Sequence, residues 1–150
     1  MSDYDFRIEI KGIEETCEGL SELPKRLVKH AFAKALAAAS VPMVKALEAR
    51  TPKHTGDLAE HLMTDIQVDA EGRGGRVDIG YGKEGYKARL VEYGHRIIGH
   101  KSAKKDLGKV VQPHPFMRPA AAESAEASVE AFDESINESV DQDISGTEIS

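Results

Sequence analysis

The sequence predicts an α+β fold, a small antiparallel β-sheet (an N-terminal strand plus a hairpin) packed against two long helices, with a long basic loop before the last helix. Two patterns carry this. Residues 3–11 and 63–82 alternate apolar and polar side chains with a period of two, whereas 21–50 and 119–140 repeat their apolar residues every three or four positions. A third observation bounds the answer: 150 residues is one domain's length. The domain is expected over residues 1–140, with 141–150 a frayed acidic tail.

The first strand places Tyr4, Phe6, Ile8 and Ile10 on one side and Asp5, Arg7, Glu9 and Lys11 on the other, and stops at Gly12. From Ser21 to Arg50 the apolar stripe is Leu20, Leu23, Leu27, Ala31, Phe32, Ala35, Ala39, Met43 and Leu47. Ser21 is the expected cap, and Pro24 is tolerated in a first turn. Pro42 lacks a backbone donor and is expected to kink or split this helix near Ala38–Val41. Six alanines among residues 31–39 offer a low surface for close packing, or simply high helix propensity.

Thr51-Pro52 ends the helix, and Thr55-Gly56-Asp57-Leu58 reads as a short helix start capped by Thr55. Residues 63–70 and 76–82 read as two strands joined by the turn Glu71-Gly72-Arg73-Gly74-Gly75. A short helical turn over Tyr86–Tyr93 follows. His95–Gln112 has no sustained period and is predicted to be a long loop, with at most a strand at Lys109–Gln112. Pro113, Pro115 and Pro119 hold an extended segment around Phe116 and Met117. A final helix then carries the stripe Ala125, Val129, Phe132, Ile136 and Val140.

The net charge of −6 conceals a split. Residues 120–150 hold nine acidic side chains and no basic one, so residues 1–119 carry 20 basic against 17 acidic. A body this mildly basic is not that of a typical nucleic-acid binder. The first helix is basic (Lys25, Arg26, Lys29, Lys34) and the last acidic (Glu126, Glu130, Asp133, Glu134), which marks either a charge-complementary interface, within the chain or between subunits, or a plainly solvated face. No apolar run approaches the ~18 residues of a membrane span, and no membrane partner is expected. Cys17, the only cysteine, excludes an internal disulfide and a cysteine-cluster metal site, and fits a soluble protein made inside the cell.

Catalytic templates fail in turn. Gly80-Tyr81-Gly82-Lys83-Glu84-Gly85 lacks the spacing and terminal Lys-Ser/Thr of a phosphate loop and reads as a strand end and turn. The six histidines (30, 54, 61, 95, 100 and 114) form no HxxxH pair with a flanking acid. There is no Gly-x-Ser-x-Gly elbow, and Cys17 has no nearby histidine in sequence. No catalytic residue, metal or cofactor is expected.

Three segments in order carry a resemblance: Thr51-Pro52-Lys53-His54-Thr55-Gly56-Asp57-Leu58, then Leu90-Val91-Glu92-Tyr93-Gly94, then Pro115-Phe116-Met117-Arg118-Pro119-Ala120. Together they resemble the gene-product-ten-like family of lambdoid long-tailed bacteriophages, whose members are small neck and tail proteins called tail completion, head–tail joining or minor tail components. The resemblance spans residues 20–140, and the insert between Gly94 and Pro113 is long for that family. It implies a structural virion protein without catalysis or cofactor. It further implies a homo-oligomeric ring, sixfold, between the head connector or head-closure protein and the tail-tube or tail-terminator protein. The protein would be assembled in the host bacterial cytoplasm and then reside at the virion neck or tail.

The candidate interface and structural positions are therefore Pro52, Thr55, Gly56, Leu58, Glu92, Tyr93, Gly94, Pro115, Phe116, Met117 and Pro119. Thr55 and Gly56 form either an interface elbow or a helix cap, the cap being favoured. Glu92, between Val91 and Tyr93, needs a partner such as Arg89 or Arg118 if buried, and either holds the loop or bridges subunits. Phe116 and Met117 are expected to pack under the sheet rather than anchor an interface. The competing reading is a nucleic-acid-binding module using the basic first helix and the 95–112 loop, with a steep salt dependence.

Overall fold

A computed structural model describes residues 6–10, 24–53, 57–70, 72, 74–98 and 106–147. Strand β1 (Phe6–Ile10) is followed by α1 (Lys25–Arg50), the short α2 (Asp57–Glu60), and β2 (Met63–Val68) and β3 (Gly75–Gly80). A 3₁₀ turn at Gly82–Glu84 leads into α3 (Gly85–Tyr93), then β4 (His95–Ile98), β5 (Asp106–Val111) and α4 (Met117–Thr147). The architecture is α+β, as the periodicities predict.

The three-stranded sheet has the order β1-β3-β2 and is antiparallel throughout. Its registers set Phe6 opposite Ile79, and both Ile8 and Ile66 opposite Val77. The alternating apolar residues thus share one face, which α1 covers with Phe32 and Leu36. Gly75 is where helix and sheet come closest: a Cβ there would lie 2.7 Å from Leu36 Cδ1 and 2.9 Å from Phe32 Cε1. The opposite face is polar. Asp78, buried on the central strand, accepts Arg7 Nε at 2.7 Å from β1.

Of the kink or split expected at Pro42, the split does not occur: α1 is one continuous helix through it. The carbonyl that proline leaves without a donor belongs to Ala38, on a half-exposed part of the helix, while Ala39, Ser40 and Met43 on either side of Pro42 are buried against the rest of the fold. Pro24 occupies the N-cap position without a side-chain cap, and Ser21 lies outside the described residues. By length and composition α1 is apolar enough for a membrane span, although the sequence showed no continuous apolar run. Valine, leucine and alanine together make the helix this apolar, and its stripe from Ala31 to Leu47 is core to this fold, packed on β2, β3 and α4, while Leu27 and Val41 are exposed.

Helix α4 lies antiparallel along α1: Arg50 meets Glu123, Met43 meets Ser124, and the Phe32 and Phe132 rings meet edge to face at 5.4 Å. Its buried face differs from the predicted stripe. Phe132 and Ile136 of that stripe are buried, but Ala125 and Val129 are exposed, and the other buried positions are Met117, Ala120, Ser124, Ser128, Ser135 and Ser139. Small size selects this face, because it admits the close approach of the alanine-rich α1. Serine is tolerated there because its hydroxyl can bond back to its own helix: Ser124 Oγ donates to the Ala120 carbonyl at 2.7 Å, and Ser139 Oγ to that of Ser135 at 2.9 Å. The helix continues to Thr147, through much of the segment expected to fray.

The predicted long basic loop is also corrected. Its two ends pair as the antiparallel strands β4 and β5, with His95 opposite Val111 and Arg96 opposite Val110. Ile97, Ile98, Val110 and Val111 supply β-branched residues, but glycine and lysine interrupt any alternation, so the segment has no readable period. Residues 99–105 lie outside the described set.

Candidate functional site

The second and third motifs meet at one point, the start of α4. Glu92, in the last turn of α3, is completely buried. Its Oε2 accepts the backbone N–H groups of Phe116 (2.7 Å) and Met117 (2.9 Å). Its Oε1 accepts the Arg118 backbone N–H (3.2 Å) and the Arg118 Nε–H (2.9 Å). Pro119 has no N–H, and Ala120 N–H already bonds the Phe116 carbonyl at 3.2 Å. One carboxylate and one proline therefore account for every donor that a helix start leaves unpaired. The negative charge also sits at the positive end of the helix dipole. Burial pushes the Glu92 pKa up, but the Met117 and Phe116 donors together with Arg118 outweigh it and hold the carboxyl below its ordinary value.

Of the two partners expected for Glu92, Arg118 is the one used; Arg89 instead points its Nε at the Gly85 carbonyl, 3.5 Å away. Arg118 also lies over the Tyr93 ring, 5.0 Å from its centroid. Gly94 has φ +72°, and a Cβ there would strike the Val111 carbonyl and the Pro113 nitrogen. Glycine at this position lets the end of β5 cross close behind α3, where His114 N–H donates to the Val91 carbonyl at 2.8 Å.

The first motif abuts the same junction through Tyr81, a completely buried residue at the end of β3. Thr51 Oγ1 donates to the Leu47 carbonyl at 2.5 Å, so the 2.7 Å contact between the two hydroxyls has Tyr81 as donor and Thr51 as acceptor. The Tyr81 ring packs against Phe116 with centroids 6.1 Å apart. Phe116, Met117 and Leu58 are buried core residues, Pro52 is half-buried, and Pro115 is exposed. Thr55 and Gly56, with the elbow or cap assigned to them, lie outside the described residues. The glycine-rich segment after β3 makes the strand-to-helix turn: Glu84 N–H bonds the Tyr81 carbonyl at 3.0 Å, and Gly82 has φ +53°. Neither Tyr81 nor Thr51 stood out in the sequence as a junction residue; the signals were Tyr81's place in the β3 alternation and Thr51's place at the helix end that opens the first motif.

The two sets of opposite charge stay apart. Lys25, Arg26, Lys29 and Lys34 are exposed on α1, and Glu126, Glu130, Asp133 and Glu134 are exposed on α4. Among the described residues no ion pair joins one set to the other. The helices are bridged at their other end by Arg50 and Glu123, 2.6 Å apart. Alongside these charges the surface presents large apolar groups. Tyr86, Leu90 and Tyr93 lie along one face of α3 at helical spacing, and Ile98, Val110 and Val111 are exposed on the β4–β5 ribbon.

A match to the HK97-gp10-like family, described as bacteriophage HK97 gp10 and assigned as a tail component, covers residues 14–94. The searches of curated proteins and of solved structures return no match.

Proposed function

The chain belongs to the HK97-gp10-like family of bacteriophage tail components, and we propose that in the virion it forms a homo-oligomeric ring at the neck, the head-proximal end of the tail. There it completes the tail and joins it to the head, with a purely structural role. Its partners are further copies of itself, six to the ring, a head-connector or head-closure protein on one side, and a tail-tube or tail-terminator protein on the other. Assembly takes place in the host cytoplasm.

The observation that carries this reading is the exposed set Tyr86, Leu90, Tyr93, Ile98, Val110 and Val111, apolar and aromatic groups that stand exposed among the described residues. Tyrosine-rich apolar surface beside charged residues is the composition of a protein interface. Beneath it, the Glu92 junction fixes α3 rigidly to the start of α4, so the surface is presented in one geometry. The competing nucleic-acid reading is weakened by the placement of α4, whose acidic outer face runs beside basic α1 and repels phosphate.

Light scattering behind size exclusion, at low and high salt, tests the ring, and copurification with connector and tail proteins tests the location. A discrete oligomer, alone or on those partners, is the expected result. A chain that stays a 16.3 kDa monomer even with its partners present would overturn the reading.

A further inference from the structure

The β4–β5 ribbon has little support from the other described elements of the fold. Its two strands pair with each other and lean only lightly on the rest of the chain, and an isolated two-stranded ribbon is marginal in water. Its outward side chains are nonetheless apolar: Ile98 is 66% exposed and Val110 55%. Arg96 stands directly opposite Val110, and Lys109 adjoins it. The whole segment 95–112 carries five basic residues against one acidic.

The outward face of α4 presents the converse. Val129, 62% exposed, is the large apolar side chain there, and Glu126, Glu130, Asp133 and Glu134 surround it, all exposed. No basic residue occurs from position 120 to the end of the chain. One surface is an aliphatic centre with a basic rim, the other an aliphatic centre with an acidic rim, and the two are distinct patches on one molecule.

We propose that the β4–β5 ribbon of one copy docks on the outward face of α4 of the next copy, with Ile98 and Val110 against Val129, and Arg96 and Lys109 against Glu126, Glu130 and Asp133. This rests on the ring reading above and names the contact that would build the ring. Because the patches differ, the contact is head-to-tail and passes from copy to copy until the rotation closes. Docking also supplies the ribbon with a cover that the described residues of its own chain do not provide. Its ionic rim makes the contact weaker as salt rises.

The test uses two sets of full-length variants. In the first, Cys17→Ser chains carrying Val110→Cys are mixed with differently tagged Cys17→Ser chains carrying Val129→Cys, and oxidised at high protein concentration, with and without isolated tails. The expected product is a mixed disulfide dimer in excess of either like-with-like dimer. In the second set, which leaves Cys17 untouched, Arg96→Glu with Lys109→Glu removes the oligomer. Glu126→Lys with Glu130→Lys removes it too, and a chain carrying all four changes recovers it, each variant keeping the parent's circular dichroism.

Oligomers that form normally in every reversed variant, without the mixed disulfide, would overturn the ribbon contact and leave the ring reading standing. Ribbon reversal that abolishes copurification with another tail protein but leaves self-association intact would assign the ribbon to that protein, and would equally overturn the contact. A parent chain that neither oligomerises nor cross-links, alone or on tails, removes both.

Discussion

The carboxylate of Glu92 holds the backbone N–H of Phe116 at 2.7 Å, across 24 residues of chain, and with it the start of a 31-residue helix. The N-cap is ordinarily a side chain at the helix's own first position. Here it comes from the last turn of α3, and so does two things at once: it satisfies the start of α4 and fixes the position of α3 against the bundle. Glu92→Ala strands the buried donors of Phe116 and Met117, at a cost of roughly 1–3 kcal/mol each. Glu92→Gln keeps an acceptor oxygen and should lose distinctly less. Urea unfolding of the two variants separates these outcomes.

The same contact makes stability depend on acid. The Glu92 pKa lies below its ordinary value in the folded chain, so the unfolded chain takes up the proton first as pH falls. Its contribution is complete above the unfolded value, about 4.3, and is lost as pH drops through the lower folded value. The parent should therefore lose its stability margin over Glu92→Gln below about pH 4.3, and thermal unfolding of both across pH 2.5–7 reads that convergence.

Tyr81 and Thr51 share a buried hydroxyl contact that ties the end of β3 to the end of α1. Tyr81→Phe should cost about 1 kcal/mol, and Thr51→Val somewhat more, since it also loses the bond to Leu47. The double variant should lose less than the sum of the two, because both remove one shared interaction. A thermal double-mutant cycle measures the difference.

Gly75 and Gly94 differ in why they resist a side chain. Gly75→Ala drives a methyl group into Leu36 and Phe32 and should cost about 1–3 kcal/mol by overpacking. Gly94→Ala adds a left-handed backbone to a collision with the Val111 carbonyl and the Pro113 nitrogen. Its loss should be at least as large. It should also appear as faster hydrogen exchange in β5, whereas the Gly75 variant loosens β3.

Ser128 is buried on α4, and its hydroxyl has no hydrogen-bond partner. Ser128→Ala removes an unsatisfied polar group and raises helix propensity, so it should stabilise the chain by about 0.5–1 kcal/mol. Ser124→Ala, which gives up a bond to the Ala120 carbonyl, should change little by comparison. Chemical unfolding of the pair distinguishes a buried serine that serves close packing from one whose bond matters.

The sequence by itself determined the elements that rest on local periodicity. The alternation of Phe6 and Ile8, and of Val77 and Ile79, marks strands with one buried face, and the three-and-four spacing from Ala31 to Leu47 marks a helix with its core stripe. Three motifs, each weak alone, also pointed to the family that the match over residues 14–94 establishes. Only the tertiary structure decided how these pieces meet. The buried face of α4 follows small serines rather than the hydrophobic Val129, because close approach to an alanine-rich helix depends on side-chain size. The β4–β5 pairing carries no readable period, because its apolar residues are interrupted by glycine and lysine. The role of Glu92 was hidden most completely. Whether an acid flanked by Val91 and Tyr93 is solvated, bridging or capping depends on which donors the fold brings to it, and those donors lie 24 to 26 residues further along the chain.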